Sequence, residues 1–138
     1  MPNIIDIFPP TVIDDSVGHD KLSSRYTEAA SITTLNGVVD FNCSNASVFN
    51  LSGDITADYT INLTNYKKGQ IITIYPIKGV YTVTLTAAGT NSNTFNKLAE
   101  LNYDGTASNI IQIECVDDSS TDTVFFYSTA TFAASSTI

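Results

Sequence analysis

The residues best suited by type to acid–base chemistry are His19 and Asp20, because an imidazole beside a carboxylate can relay a proton. His19 is the only histidine in the chain. An adjacent residue cannot easily orient the imidazole ring, so the sequence favours an exposed polar position for His19. One histidine and two separated cysteines also lack the spacing of a zinc site. The chain contains no nucleophile elbow, phosphate-binding loop or dinucleotide fingerprint.

Paired carboxylates would be needed for glycoside hydrolysis, where two carboxyl groups face each other across the substrate. The acidic pairs at 14–15 and 117–118 are adjacent along the chain, and neighbours on a strand point to opposite faces. Glu114 falls on the side of its strand opposite the apolar residues. The stretch 117–122 (DDSSTD) has only part of a calcium-loop pattern, and a hairpin turn is favoured. The sequence therefore predicts no enzyme, no metal site and no cofactor.

Aromatic side chains offer a different chemistry, since a row of tyrosines can line a sugar-binding surface. Tyr59 and Tyr81 share a strand face with aliphatic residues, which favours the core. Tyr75 and Tyr127 alternate to the other face and are the better candidates for an interface. The chain has no tryptophan, so core or subunit contact is the favoured interpretation for the set as a whole. The tyrosines considered are Tyr59, Tyr66, Tyr75, Tyr81, Tyr103 and Tyr127.

Two cysteines, Cys43 and Cys115, fall in predicted strands. Two cysteines do not make a disulfide framework. They are expected either to pair across a sandwich or to serve as small buried apolar residues, and the buried thiols are favoured.

The charge balance limits the partners that the chain can have. Fourteen acidic residues outweigh six basic ones, giving a formal net charge of −8. A nucleic-acid-binding surface needs clustered lysine and arginine, and the most basic run here is only Lys67-Lys68. The same deficit argues against anionic membranes. No run of eighteen apolar residues is present. We therefore expect no nucleic-acid partner, because of the charge balance, and no membrane insertion.

From about residue 38 the hydrophobic pattern has a period of two, which is typical of half-buried strands. The clearest examples are YTINLT (59–64) and YTVTLT (81–86). Seven or so short strands at regular intervals predict an all-β fold, an antiparallel β-sandwich or jelly-roll-like domain. The predicted strands cover residues 38–43, 48–52, 59–64, 70–76, 81–86, 109–116 and 122–129, with a loop at 87–94.

The segment before this domain has a different character. Residues 1–37 are expected to form an extended N-terminal arm and short stem, ahead of a β-sandwich over 38–129 and a tail over 130–138. Pro9-Pro10 favours an extended path. One short helix is allowed near 16–30, where Ser16 would cap it.

Six stretches of the chain, read in order, resemble the β domains of bacteriophage fibres and head fibres. The match is strongest in LSGDITADYTINLTNYKKGQIITI and departs from the family pattern at Leu85, where a tryptophan is usual. The resemblance implies a homotrimeric virion attachment without catalytic activity. The matching stretches are AASITTLNGVVDFN (29–42), FNLSGDITADYTINLTN (49–65), KGQIITIYP (68–76), VYTVTLT (80–86), NIIQIECVDD (109–118) and TVFFYS (123–128).

A second resemblance concerns IDDSVGHDKLSS (13–24), which is similar to short units of trimeric fibre stems. It implies that Val12, Val17 and Leu22 face a threefold axis. A short chain with an apolar lead fits a capsid head fibre or decoration protein on the capsid exterior. Residues 1–15 would bind the major capsid protein or another virion protein. The alternative is the receptor- or glycan-binding tip of a tail appendage, with a host-surface glycan as partner. The expected capsid anchor comprises Ile4, Ile5, Ile7, Phe8, Pro9 and Pro10.

Overall fold

A computed structural model of the chain describes residues 28–89, 92–119 and 121–135. The described residues form strands, turns and loops but no helix, so the all-β class is confirmed. None of them belongs to a helix that could cross a membrane. The strands are Ala29–Ile32 (β1), Gly37–Asn42 (β2), Val48–Leu51 (β3), Tyr59–Thr64 (β4), Ile71–Ile77 (β5), Val83–Ala87 (β6), Ser92–Lys97 (β7), Ser108–Asp118 (β8) and Asp122–Phe132 (β9).

The first six strands alternate between two sheets. β1, β3 and β5 lie side by side and parallel in one sheet, and β2, β4 and β6 do the same in the other. Each pair of consecutive strands therefore forms one rung of a coil, and the next rung stacks on it by parallel hydrogen bonding. The register is regular, since Gly37 pairs with Tyr59 and Tyr59 pairs with Val83.

The last three strands extend only one of the two sheets. β8 pairs antiparallel with β5, β9 pairs antiparallel with β8, and β7 lies parallel to β9 at the edge. The order in this six-stranded sheet is β1-β3-β5-β8-β9-β7, against β2-β4-β6 in the three-stranded sheet. The larger sheet thus continues past the point where the smaller one ends at β6.

The core lies between the sheets and follows from the alternation of apolar residues. In β4, Tyr59, Ile61 and Leu63 are fully buried while the threonines and asparagine between them are not. Phe41 of β2 meets Phe49 of β3 edge to face, with ring centroids 5.1 Å apart, a favoured aromatic geometry. Burial of each such side chain stabilises the fold by about 1.5–3 kcal/mol.

The predicted strands agree with the structure within a few residues, and β4 matches the prediction at both ends. Two strands, β1 and β7, were not predicted. β1 lies inside the expected 1–37 arm, and β9 continues to Phe132, inside the expected 130–138 tail. The part of the helix expected near 16–30 that is described contains no helical residue, and the remainder lies outside the described residues.

Strand direction is the main difference from the expected architecture. The sandwich-like all-β arrangement is confirmed, but the sheets are mixed, and five of the seven strand pairings are parallel. Alternation of apolar and polar residues shows that one face of a strand is buried, whether the strand pairs parallel or antiparallel with its neighbour. In β1–β6 the chain crosses to the opposite sheet and returns before it adds each neighbouring strand, so these neighbours run parallel.

Candidate functional site

A concave surface lies where the six-stranded sheet extends past β6. We call this surface the β6–β9 groove. Its cavity volume is about 460 Å³, within the range of about 300–1,000 Å³ that is usual for ligand sites. β6 forms one wall, β7, β8 and β9 form the floor, and the segment before β8 forms the other wall. The lining residues are Val83, Thr84, Leu85, Phe95, Lys97, Asn102, Tyr103, Ile111, Tyr127 and Thr129.

Aromatic rings dominate the floor. Phe95 of β7 stacks on the buried Phe125 of β9, with centroids 4.6 Å apart and planes 9° from parallel. Tyr127 of β9 pairs with Ile113 of β8, which places it on the inner face. Because these rings are backed by buried side chains, the floor is formed before any ligand arrives.

The lip of the groove carries the polar groups. Lys97 Nζ donates a hydrogen bond to Asn102 Oδ1, while Thr84 is exposed at the β6 side. Thr129 is nearly buried at the floor. None of the described residues lining the groove is acidic. The arrangement can bind a compound with one apolar face and a polar rim.

The wall that carries Tyr103 is held by a close backbone approach. Tyr103 Oη donates to Gly79 O at 2.7 Å, and Gly79 N donates to Gly105 O at 3.0 Å. A Cβ at Gly105 would lie only 2.8 Å from Val80 Cα. Burial, followed by the charges of Asp54 and Asp104, raises the pKa of Tyr103, so its phenol stays a donor at neutral pH.

The side chain of Asn109 also stabilises the wall that carries Tyr103. Its side chain is fully buried at the start of β8. Nδ2 lies 2.7 Å from Asp104 O, 2.9 Å from Ala107 O and 3.0 Å from Ile77 O, and Oδ1 accepts from Asp104 N at 3.0 Å. One amide thereby joins the end of β5 to the turn before β8. Throughout the described residues, every buried side-chain nitrogen or oxygen has a hydrogen-bond partner.

The two thiols lie elsewhere, at the opposite end of β5. Cys43 and Cys115 are both fully buried and both free. Cys115 lies in β8, while Cys43 directly follows β2. Burial raises the pKa of Cys43 to about 12 and that of Cys115 to about 11. These are neutral, packed thiols, as the sequence favoured.

The tyrosines are distributed differently from the expectation. Tyr59 is fully buried as expected, and its hydroxyl donates to Thr34 O at 3.1 Å. Tyr81 is 42% exposed, so its assignment to the core is wrong; it precedes β6, which begins at Val83. The outer-face assignment of Tyr127 is also wrong, because that residue faces the groove. Tyr75 is half-buried and meets Phe132 edge to face at 6.5 Å.

The other residues singled out from sequence do not join the groove. Glu114 is exposed as expected, and no group of three or more histidine, cysteine or acidic side chains suited to a metal occurs among the described residues. His19 lies outside the described residues. So do the anchor residues Ile4, Ile5, Ile7, Phe8, Pro9 and Pro10, and the stem residues Val12, Val17 and Leu22.

The loop expected over 87–94 is wrong at its end, because residues 92–94 already belong to β7. Sequence reasoning missed Phe95 and Lys97 because this strand begins within a run of glycine, asparagine, serine and threonine. The one available signal was Phe95 itself, an aromatic residue with a polar neighbour on either side. Compared with protein-family models, with curated proteins and with solved structures, the chain matches none.

Proposed function

We propose that this chain is a structural virion protein, a short capsid head fibre or decoration protein that carries out no catalysis. The observation that carries the proposal is the division of the chain. An apolar, proline-containing segment at residues 4–10 lies far ahead, along the sequence, of an all-β domain whose first described strand begins at Ala29. Residues 1–15 bind the major capsid protein or another virion protein. The β domain then projects from the capsid exterior.

The anchor is tested by deleting residues 2–10 and mixing the purified protein with particles that lack it. The shortened chain should stay folded and fail to join particles. Asp6→Asn is the matched control, because it alters the segment without removing an apolar side chain. Decoration by the shortened protein would show that the anchor lies elsewhere.

A trimer is the assembly that we propose, with Val12, Val17 and Leu22 at a threefold axis. Apolar side chains on the outer face of the six-stranded sheet support association between copies. Ile71 is 56% exposed and Leu98 is 50% exposed, and both line the same shallow depression on that face. Covering such side chains on binding is favourable, since exposed apolar surface marks contact sites.

Mass in solution tests this assembly. Light scattering on the full chain should give three copies, and V17D combined with L22D should give one. S23D combined with S24D is the control, since it adds the same charge beside the proposed axis. A stable dimer of the unmodified chain contradicts the stem.

A second candidate function is the receptor- or glycan-binding tip of a tail appendage. The β6–β9 groove favours it, because a preformed aromatic floor with polar groups at its lip is a suitable ligand site. This function predicts that the full chain adheres to host cells or to their polysaccharide. Absence of adhesion, together with particle binding through residues 1–15, would leave decoration as the function.

A further inference from the structure

We propose that the β6–β9 groove binds a sugar residue that carries a carboxylate. This proposal rests on the second candidate function and names its site and ligand class. The size of the groove, about 460 Å³, suits a ligand of one or two sugar rings.

The aromatic floor supplies the first element of recognition. One face of a pyranose ring presents mainly C–H groups, which pack against an aromatic ring, while its rim presents hydroxyls. Phe95, Tyr103 and Tyr127 offer three rings on two sides of one cavity. Such rings combine large contact area with few rotatable bonds.

Two of the rings are held in place before binding, which lowers the entropy lost on binding. Phe95 is stacked on Phe125, and the hydroxyl of Tyr103 is bound to the carbonyl of Gly79. Because that hydroxyl is already occupied, Tyr103 contributes chiefly its ring to a ligand.

The lip supplies the second element and determines the charge of the ligand. An ammonium has three N–H donors, and Lys97 gives one of them to Asn102 Oδ1. The remaining donors, with those of Asn102 Nδ2, can reach an acceptor above the floor. The groove therefore presents N–H donors and a positive charge within a chain whose formal net charge is −8.

A carboxylate fits this lip better than other groups do. A neutral hydroxyl would leave the ammonium without a counter-charge. A phosphate dianion would carry more charge than one ammonium balances, in the negative field of the rest of the chain. A single carboxylate matches the single lysine, and hydrogen bonds between charged partners are the stronger ones.

The test uses two glycosides that differ only at C6, methyl β-D-glucuronide and methyl β-D-glucoside, titrated into the full chain by NMR. We expect the glucuronide to bind about tenfold more tightly than the glucoside. Shifts of the β7 and β9 amides should report the contact. Lys97→Met should remove that advantage, so that the two glycosides bind with equal, weak affinity, and Tyr127→Ala should weaken both.

Lys68→Met is the matched control, because it removes an exposed lysine that does not line the groove. Lys97 is also exposed, so its loss should not affect folding, which a thermal melt checks. Equal binding of the two glycosides to the unmodified chain, or a preference for the glucuronide that survives Lys97→Met, overturns the proposal. Shifts along β6 caused only by adding more protein would assign the groove to a second copy instead.

The test separates this proposal from the function beneath it. If the chain binds host polysaccharide and the Lys97 and Tyr127 variants bind it equally well, the groove is the wrong site but the second candidate function stands. If the chain binds neither the glycosides nor polysaccharide, both fail.

Discussion

Gln70 and Cys43 are joined by a buried hydrogen bond, in which Gln70 Nε2 donates to Cys43 O at 2.7 Å. The same amide nitrogen lies 3.0 Å from Ser47 Oγ, and Gln70 Oε1 accepts from Lys67 N at 3.3 Å. The backbone of Gln70 also accepts from Cys115 N at 3.0 Å. One residue just before β5 thus connects the turn after β2 to strand β8.

Replacing Gln70 by leucine should destabilise the domain by about 1–3 kcal/mol, because a buried carbonyl loses its donor. Urea unfolding measures the change. Gln112→Leu is the control: the same substitution at an exposed position on β8 should change stability by less than about 0.5 kcal/mol. Equal effects of the two substitutions would mean that the bond from Gln70 to Cys43 contributes nothing.

Asn109→Leu should be more damaging, at about 2–4 kcal/mol, since several backbone groups lose a partner together. It should also free the turn that carries Tyr103, which hydrogen exchange of residues 104–107 would show. Asn93→Leu provides the comparison. That asparagine is exposed, and its Nδ2 donates a hydrogen bond to Ala87 O at 2.8 Å. Unchanged exchange in Asn109→Leu would contradict the role given to this amide.

Gly105→Ala should separate the 104–107 turn from Gly79, since the added Cβ would lie 2.8 Å from the backbone carbon of Gly79. The expected results are a lower melting temperature and altered NMR shifts of Tyr103. Thr106→Ala, beside it in the same turn, keeps the backbone free of a clash and should leave the Tyr103 shifts nearly unchanged. Wild-type shifts in the Gly105 variant would show that the wall tolerates the methyl group.

The thiols predict how stability depends on pH. The cysteine pKa rises on folding from 9.0 to about 12 for Cys43 and to about 11 for Cys115. Between these limits the unfolded chain has lost the thiol proton that the folded chain keeps, so unfolding becomes more favourable as pH rises. The stability contributed by neutral thiols is complete below about pH 9 and falls above it.

Urea unfolding at pH 8 and pH 10 checks this dependence. A variant with Cys43→Ala and Cys115→Ala should lose less stability between the two values than the unmodified chain. The native thiols should also resist iodoacetamide at pH 8 and react once urea unfolds the protein. Rapid labelling of the native chain would contradict their burial.

The sequence indicated the strands well where alternation was strong. Tyr59, Ile61 and Leu63 identify β4, because a strand places every second side chain on the same face. β1 was missed because AASI is short and its alanines and serine carry little β signal. β7 was missed because SNTFNK has few residues with high strand propensity, and the groove residues Phe95 and Lys97 were missed with it.

Strand direction was beyond the reach of local pattern. β2 and β4 read as alternating strands whether they run parallel or antiparallel, and only the route of the chain through the other sheet decides. Tyr127 shows the same limit at the level of a site. Its inward orientation follows from its pairing with the buried Ile113. The alternation within β9 does not show which face is buried, because the neighbours Phe125 and Phe126 are both aromatic.

The coil of paired strands makes the length of the domain adjustable in steps. Each rung contacts its immediate neighbours, so a duplicated rung would meet the surfaces that existing rungs already present. One more rung would lengthen the stack by about 4.8 Å. The β8–β9 hairpin pairs with β5 at the position where the next rung would lie. An additional rung would therefore be inserted among β1–β6. In chains built this way, the number of rungs would determine the length of the domain.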